Sequence, residues 1–440
     1  MNKMSAGVTN ISNIEKYILD ITYELSNRLY DFDNIILNDM TLNSDSKTLL
    51  SFAQGTSGLC VLYGELDLLY PNNGWDEKGH KILLRTLEQF EKNGIDNLSA
   101  FSGLTGLCFS ILALSKGGTR YKNLFTKLND IFFYSMEKYL LDLKVNINFD
   151  KGINNYLFDV CYGLSGIGGY LLHIKNMDSR SEDLIIDILE IMVQMSSDII
   201  INNEKVPGWF TPSSYNENFD IGFFDTGLAH GICGPLSLLS ISYLKGYCVK
   251  GQIKAINKIV DWLSIKVTEN GMRIPNIISF DNETKKIRDN FSTRDAWCYG
   301  LPGISRAIFW GGKALSNSEV IDFSKELFFL LTKRSFEEQL NFSPTFCHGL
   351  SGLLYITNIM NNEFNDDEFC DYQIKIAWEI IGYYNEKLPF GFQDYNIREG
   401  KLFSENKIGI LEGTIGVLLA LLAYIKKECK TGWDKLFLLN

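Results

Sequence analysis

The chain has 440 residues, 45% of them hydrophobic and 22% charged, with a formal net charge of −11. That acidity speaks against a nucleic-acid partner, because phosphate contacts need concentrated Lys and Arg, and leaves a cationic peptide open. Nine cysteines show no compact disulfide spacing, and Met1 to Ser12 lacks the apolar core of a signal peptide. Together these predict a reduced, cytoplasmic setting, in which cysteine serves as core residue, metal ligand or nucleophile.

In chain order, Ile14–Tyr30 reads as an amphipathic helix, with Ile18, Ile21, Leu25 and Leu29 in a stripe opposite Glu15, Asp20 and Glu24. Then comes a short signature, Gly55-x-x-Gly58, followed by an apolar stretch of helical length. It returns at Gly103, Gly163, Gly231, Gly300, Gly349 and Gly413, at intervals of 48, 60, 68, 69, 49 and 64 residues. This is a repeat with insertions. Further amphipathic patterns lie between the copies, at His80–Lys92, Tyr121–Leu143, Asp183–Ile199, Gln252–Val267, Glu319–Lys333 and Asp371–Tyr384. The stretches after the glycines differ in kind: Leu236–Tyr243 and Val417–Tyr424 are apolar or small nearly all round, as buried helices are. Ile408–Ile425 has the length of a membrane span, but it holds Glu412 and the seventh glycine pair and reads as a buried helix.

Alternation of one amphipathic and one buried helix predicts an all-α fold, an α/α toroid of seven outer and seven inner helices. It would form one domain over residues 1–440. Closure removes the exposed ends that an open superhelix, the alternative, must cap. The glycines would let inner helix N-termini crowd together and relieve strain in the turn entering each helix. Insertions at about 200–228, 271–295 and 390–407 are expected as loops on the active-site face, some of them short β-hairpins. One hairpin is predicted from Arg273–Phe280, the turn Asp281-Asn282 and Lys285–Asn290; another from Tyr395–Arg398 and Lys401–Phe403.

Aligned on the first glycine, the preceding position holds Gln54, Ser102, Tyr162, His230, Tyr299, His348 and Glu412, all polar ahead of buried helices. One position earlier stand Ala53, Phe101, Cys161, Ala229, Cys298, Cys347 and Leu411. Closed into a ring, the first column would face a central mouth. Of four histidines in the chain, His230 and His348 occupy that column, whereas His80 and His173 lie within helical patterns and read as structural or exposed.

Cys298, Cys347 and His348 have the composition of a catalytic zinc site: soft sulfur and imidazole from three protein ligands, with a fourth position open. One zinc per chain is expected. Consecutive Cys347 and His348 reach one metal because the turn into Gly349 is irregular. Cys161, from a repeat farther round the ring, reads as core. His230, Cys298 and the Cys347–His348 pair come from consecutive repeats, so their mouth residues should be neighbours. Asp159 would orient His230 or serve as a turn aspartate. Arg294 would stabilise developing negative charge or form a surface ion pair. A phosphate-loop reading of Gly163–Gly169 fails for lack of a preceding strand, and no His-Glu-x-x-His is present.

The segments Asp159–Gly166, Gly227–Gly231, Arg294–Gly300 and Cys347–Gly352 resemble the LanC-like family of lanthipeptide (lantibiotic) cyclases, and the likeness extends over all seven repeats. Trp297-Cys-Tyr-Gly300 is similar to the bacterial free-standing enzymes. The resemblance implies an α/α toroid, zinc on Cys298, Cys347 and His348, and active-site roles for Asp159, His230, Arg294 and Tyr299. It implies addition of peptide cysteine thiols to dehydroalanine or dehydrobutyrine, giving thioether rings. The implied partners are a dehydrated precursor peptide, a dehydratase and an exporter, with peripheral placement at the inner membrane face through that complex. Two other readings stay open at this stage: a zinc-dependent thiol alkyltransferase of prenyltransferase type, and a non-catalytic peptide-binding toroid with structural zinc.

Overall fold

A computed structural model describes residues 11–31, 35–36, 38–39, 48–174, 178–285, 294–398 and 400–440. Among them, fourteen helices of eleven residues or more alternate as expected. The outer ones are α1 (Ile11–Arg28), α3 (Trp75–Asn93), α5 (Lys122–Asn146), α7 (Arg180–Met195), α9 (Gln252–Glu269), α11 (Ser318–Thr332) and α13 (Asp367–Gly382). The inner ones are α2 (Thr56–Leu69), α4 (Leu104–Leu114), α6 (Leu164–Ile174), α8 (Cys233–Leu244), α10 (Leu301–Leu315), α12 (Leu350–Phe364) and α14 (Thr414–Lys426). Every inner helix follows a Gly-x-x-Gly start. The burial follows the sequence pattern: α4 is buried along its whole length, while α3 buries only Trp75, Gly79, Ile82, Leu83 and Thr86.

Each inner helix packs on the next, and α14 packs back on α2, so the ring closes and the open superhelix is excluded. A belt of backbone hydrogen bonds reinforces the closure. Ala53 N donates to Phe101 O (2.9 Å), Phe101 N to Cys161 O (3.3 Å), Val160 N to Ala229 O (3.0 Å) and Ala229 N to Cys298 O (3.3 Å). Cys298 N then donates to Cys347 O (3.1 Å), Cys347 N to Leu411 O (2.7 Å), and Leu411 N returns to Ala53 O (3.1 Å). Apart from Val160, which donates in place of its neighbour Cys161, these residues are the second column of the sequence alignment, now a closed loop around the axis.

The glycines act chiefly by close approach. A Cβ on Gly416 would lie 1.9 Å from the carbonyl oxygen of Ile410, six residues back in the same turn. Of the glycines that open the inner helices, Gly300 has a left-handed φ of +86°. The bore of the ring is filled from one end by the last turn of the chain. Phe437 packs its ring against Phe101 (5.0 Å between centroids), Trp297 (4.9 Å) and Phe346 (4.7 Å), leaving a mouth at the other end.

Three small sheets decorate the ring. β1 (Asp198–Ile201) and β2 (Glu204–Pro207) form a hairpin whose turn residues, Asn202 and Asn203, both have positive φ. β3 (Thr211–Pro212), β4 (Gly222–Asp225) and β5 (Ile277–Ser279) form an antiparallel trio. β6 (Asp394–Arg398) pairs with β7 (Lys401–Glu405), as the sequence pattern predicts. The hairpin expected around Asp281-Asn282 is not one. Ile277–Ser279 pairs instead with β4, and Phe280–Lys285 forms a short helix, with Trp262 and Lys266 of α9 bound to Glu283. Residues 286–290 of that expectation lie outside the described residues. No described helix is long and apolar enough to cross a membrane.

Candidate active site and metal centre

The mouth is a cavity of about 390 Å³ lined, among others, by Gln54, Ser102, Cys161, Tyr162, His230, Cys347 and Glu412. Column residues from six repeats therefore meet there, because the turn before each inner helix is built alike. An aspartate ties several of these turns by accepting backbone N–H groups from two to six residues further on, as Asp225 does from Gly227 (2.9 Å) and Asp295 from Leu301 (3.0 Å).

Asp159 shows how one residue satisfies both sequence readings. Its Oδ1 accepts from the N–H groups of Tyr162 (2.6 Å) and Gly163 (2.7 Å), which fixes the turn, while its Oδ2 pairs with Nδ1 of His230 at 2.6 Å. Burial raises the carboxyl above its ordinary value, and the His230 bond and charge with the two backbone donors oppose the rise without cancelling it. On His230 burial pulls downward, and the Asp159 bond and charge, then Asp225 and Cys298, outweigh it and raise its pKa above the ordinary value. One proton thus resides on Nδ1, and Nε2 is the nitrogen left to exchange.

The belt bond from Cys298 N to Cys347 O brings the two cysteines together. Cys298 is lowered to about 7, first by the S–H of Cys347 and then by His348, Arg294 and His230 against the cost of burial. Cys347 is raised by the neighbouring Cys298 and by burial, so the pair gives up its first proton more easily than its second. His348 donates Nε2–H to Oδ1 of Asp394 (2.8 Å), which fixes the tautomer and leaves Nδ1 as the acceptor. Two sulfurs, one already acidic, and an oriented imidazole nitrogen fit a zinc ion.

Among the described residues, the grouping whose ligand atoms all lie within 4.8 Å of one another is His348, Asp394 and Glu412, rather than Cys298, Cys347 and His348. A cation already occupies it. Nζ of Lys407 lies 2.8 Å from Glu412, 2.9 Å from Glu405 and 3.3 Å from Asp394. Asp394 further accepts from Ser343 (3.0 Å) and Thr345 (3.1 Å), and its pKa is lowered to about 2: burial opposes this, and the His348 bond and charge, Lys407 and Ser343 prevail. These carboxylates therefore hold His348 and Lys407.

Arg294 stacks on Phe342 (4.6 Å) and donates to the carbonyl of His348 (3.3 Å). Burial lowers its pKa while Cys298, Asp394 and Cys347 pull it up, so a cation stands beside the ligands. Tyr299 turns away from a simple mouth position: its hydroxyl donates to Oδ2 of Asp225 (2.9 Å), and its ring lies against Gly227. Cys161, read as core, is buried but also lines the mouth, where burial, Asp159 and Cys298 raise its thiol. His80 is exposed against Tyr121 and His173 lies by Phe109 and Lys435, both away from the mouth.

A family model described as lanthionine synthetase C-like protein matches residues 47–438. The chain belongs to this family. It is 26% identical over 402 residues to the nisin biosynthesis protein NisC of Lactococcus lactis subsp. lactis, covering 89% of each chain. Its structure matches that of a nisin cyclase with a TM-score of 0.77 and 25% identity, over 97% of this chain and 98% of the other. The enzyme class follows: a lanthionine cyclase built as an α/α toroid.

Sequence reasoning missed Asp394, Lys407 and Asp225. Asp394 opens a hairpin rather than an inner helix, so no column contains it. Asp225 was detectable as the turn aspartate of repeat four; its Oδ1 accepts from Gly227 N (2.9 Å), and burial raises it to about 6.

Proposed function

We propose that the chain is a zinc-dependent cyclase that joins cysteine thiols of a dehydrated precursor peptide to its dehydroalanine or dehydrobutyrine residues, giving lanthionine and methyllanthionine. One observation carries this reading: Cys347 and the carboxylate-held imidazole of His230 line one mouth, with Cys298 tied through its backbone N–H to Cys347 and His348 next in the chain. Cys298, Cys347 and Nδ1 of His348 would hold the metal, three protein ligands leaving a position open as catalytic sites do. Bound there, zinc supplies the charge that lets a thiol of ordinary pKa about 8.5 exist as thiolate at neutral pH.

The chain's own residues supply the rest. Attack of the thiolate sulfur on the β carbon forms the C–S bond and moves the alkene electron pair into an enolate. Arg294 offsets that charge from beside the ligands. His230, as imidazolium, gives its Nε2 proton to the α carbon while Asp159 holds Nδ1–H, and it regains a proton to match the one released by the thiol. Tyr299 and Asp225 hold the Gly227–His230 loop against the Cys298 turn. A dehydratase and an exporter would deliver and remove the peptide, which is where a peripheral membrane location would enter.

The test is direct. Purified protein with equimolar zinc, given a dehydrated precursor, should render its cysteines inert to alkylation without a change of mass before alkylation. Persistence of alkylatable thiols at full zinc occupancy would sink the reading.

A further inference from the structure

Beside the mouth, three aromatic rings stand in mutual contact. Tyr162 stacks on His230 at 5.7 Å and 15°, and Tyr156 meets both edge-on, at 5.2 Å from Tyr162 and 5.8 Å from His230. Both tyrosines are half exposed, Tyr156 at 53% and Tyr162 at 49%. Large rings so open to water are poorly used unless a further apolar surface covers them.

Tyr162 belongs to the mouth, whereas Tyr156 also lines a separate open groove of about 590 Å³. That groove runs between the end of α5 and the 148–157 loop and is walled by Tyr139, Leu143, Ile147, Leu157 and the exposed Tyr215. The Tyr162–Tyr156 ring contact thus joins the mouth to a groove whose apolar side chains alternate with Asp142, Asn146, Asn148, Lys151 and Asn154. The walls are preformed. Asn148 and Asn154 tie the loop by accepting from Asp150 N (3.1 Å) and Tyr156 N (3.0 Å), and Ile153 N is bonded to Phe210 O (2.9 Å).

We infer that this saddle and groove bind the stretch of precursor peptide flanking the reacting cysteine and dehydro residue. The inference rests on the cyclase reading and adds to it a specific path for the rest of the substrate. The occupant follows from continuity: the mouth closes at its far end on Phe437, so a peptide longer than the reacting pair must leave by the rim. Tyrosine suits the task, offering rigid amphipathic area with little side-chain entropy to lose. Burial holds the Tyr162 phenol neutral, raised to about 12, so the saddle is an uncharged surface that favours apolar or aromatic residues next to the reacting pair. Stacking on His230 further couples peptide seating to the group that delivers the proton.

The experiment compares two synthetic peptides on the zinc-loaded enzyme. One carries a single cysteine and dehydroalanine with nothing beyond them; the other is extended at both ends by about six apolar-rich residues, roughly 20 Å on each side when extended. The readout is the ratio of kcat/KM, long over short. In the native enzyme the ratio should exceed unity, and in Tyr156→Ala and in Tyr215→Ala it should fall by about tenfold, the loss typical of a truncated aromatic anchor. Tyr156→Phe should restore it, and Leu84→Ala, on an exposed face of α3, should leave it alone. A ratio unmoved by both tyrosine truncations overturns the groove while the cyclase reading stands. A native enzyme that closes neither peptide overturns the cyclase reading itself, and the groove with it.

Discussion

Replacing Asp394 separates the charge that supports His348 from the hydrogen bond that orients it. Oδ1 of Asp394 takes the Nε2–H of His348 at 2.8 Å and hydroxyls from Ser343 and Thr345, while Oδ2 faces the Lys407 ammonium at 3.3 Å. In Asp394→Asn the amide oxygen can keep the His348 bond, but the amide nitrogen must then face Lys407, donor against cation. The imidazole stays oriented and loses the negative charge behind it. In Asp394→Ala both orientation and charge go. Carboxylate partners of ligand histidines are worth about 10- to 100-fold in metal affinity, or about 1.4 to 2.7 kcal/mol. The Asn variant should lie near the lower end and the Ala variant near the upper. Competition against a chromogenic chelator at neutral pH measures both, with circular dichroism of the metal-free proteins as the folding control. Equal zinc affinity in all three proteins would show that His348 needs no support from β6, and would refute the assignment of His348 Nδ1 as the ligand atom.

Native protein should hold one zinc per chain, and Cys298→Ala, Cys347→Ala and His348→Ala should each lose it or bind it far more weakly, whereas Cys161→Ala should keep it; metal analysis of purified variants decides, and loss in Cys161→Ala would favour a closed four-ligand structural site. His230→Asn should retain full zinc but slow or misdirect ring closure, seen by thiol alkylation and mass spectrometry; a zinc-poor variant would instead make His230 a ligand or a structural residue. His173 is lowered to about 4, by burial first and then by Lys435 and Lys245. The unfolded chain therefore takes up this proton near 6.5 and the folded one only near 4, so stability falls as pH drops through that window. The part-exposed ring discounts the full linkage to about 1–2 kcal/mol. Urea midpoints at pH 7 and pH 4.5 should draw closer together in His173→Gln, and an unchanged difference would contradict this account.

The repeat was legible because its cause is local: a glycine pair is required wherever a Cβ would strike the carbonyl six residues earlier, as at Gly416. The helix order, the ring and the column that gathers His230 and His348 all follow from that one constraint. What escaped was set by tertiary contacts between insertions. Arg273–Lys285 has hairpin chemistry, but its Ile277–Ser279 segment found a better partner in β4, and Glu283 then found Trp262 and Lys266 on α9. Asp394 and Lys407 lie at the two ends of a hairpin that the sequence does reveal. Its docking onto Ser343 and His348 depends on the fold of repeat six and leaves no spacing signal.

The belt explains why the two cysteines proposed as ligands, drawn from two repeats, can meet with little freedom. In an open superhelix, errors in each turn would accumulate along the stack, and residues 49 positions apart, such as Cys298 and Cys347, would be placed only as well as their shared interface. Here Cys298 N is bonded to Cys347 O, Cys347 N to Leu411 O, and the chain of bonds returns through Ala53, Phe101 and the 160–161 turn to Ala229 and Cys298. Each thiol is thus fixed at its own backbone on both sides. Phe437 fills the axis beneath, touching Trp297 and Phe346, the residues immediately before Cys298 and Cys347. The same packing that closes the bore therefore presses the two ligand turns toward the mouth. A preorganised pair of sulfurs keeps little entropy to lose on binding metal, and ring closure, which the sequence explains as a way to avoid exposed ends, also becomes the source of precision at the site.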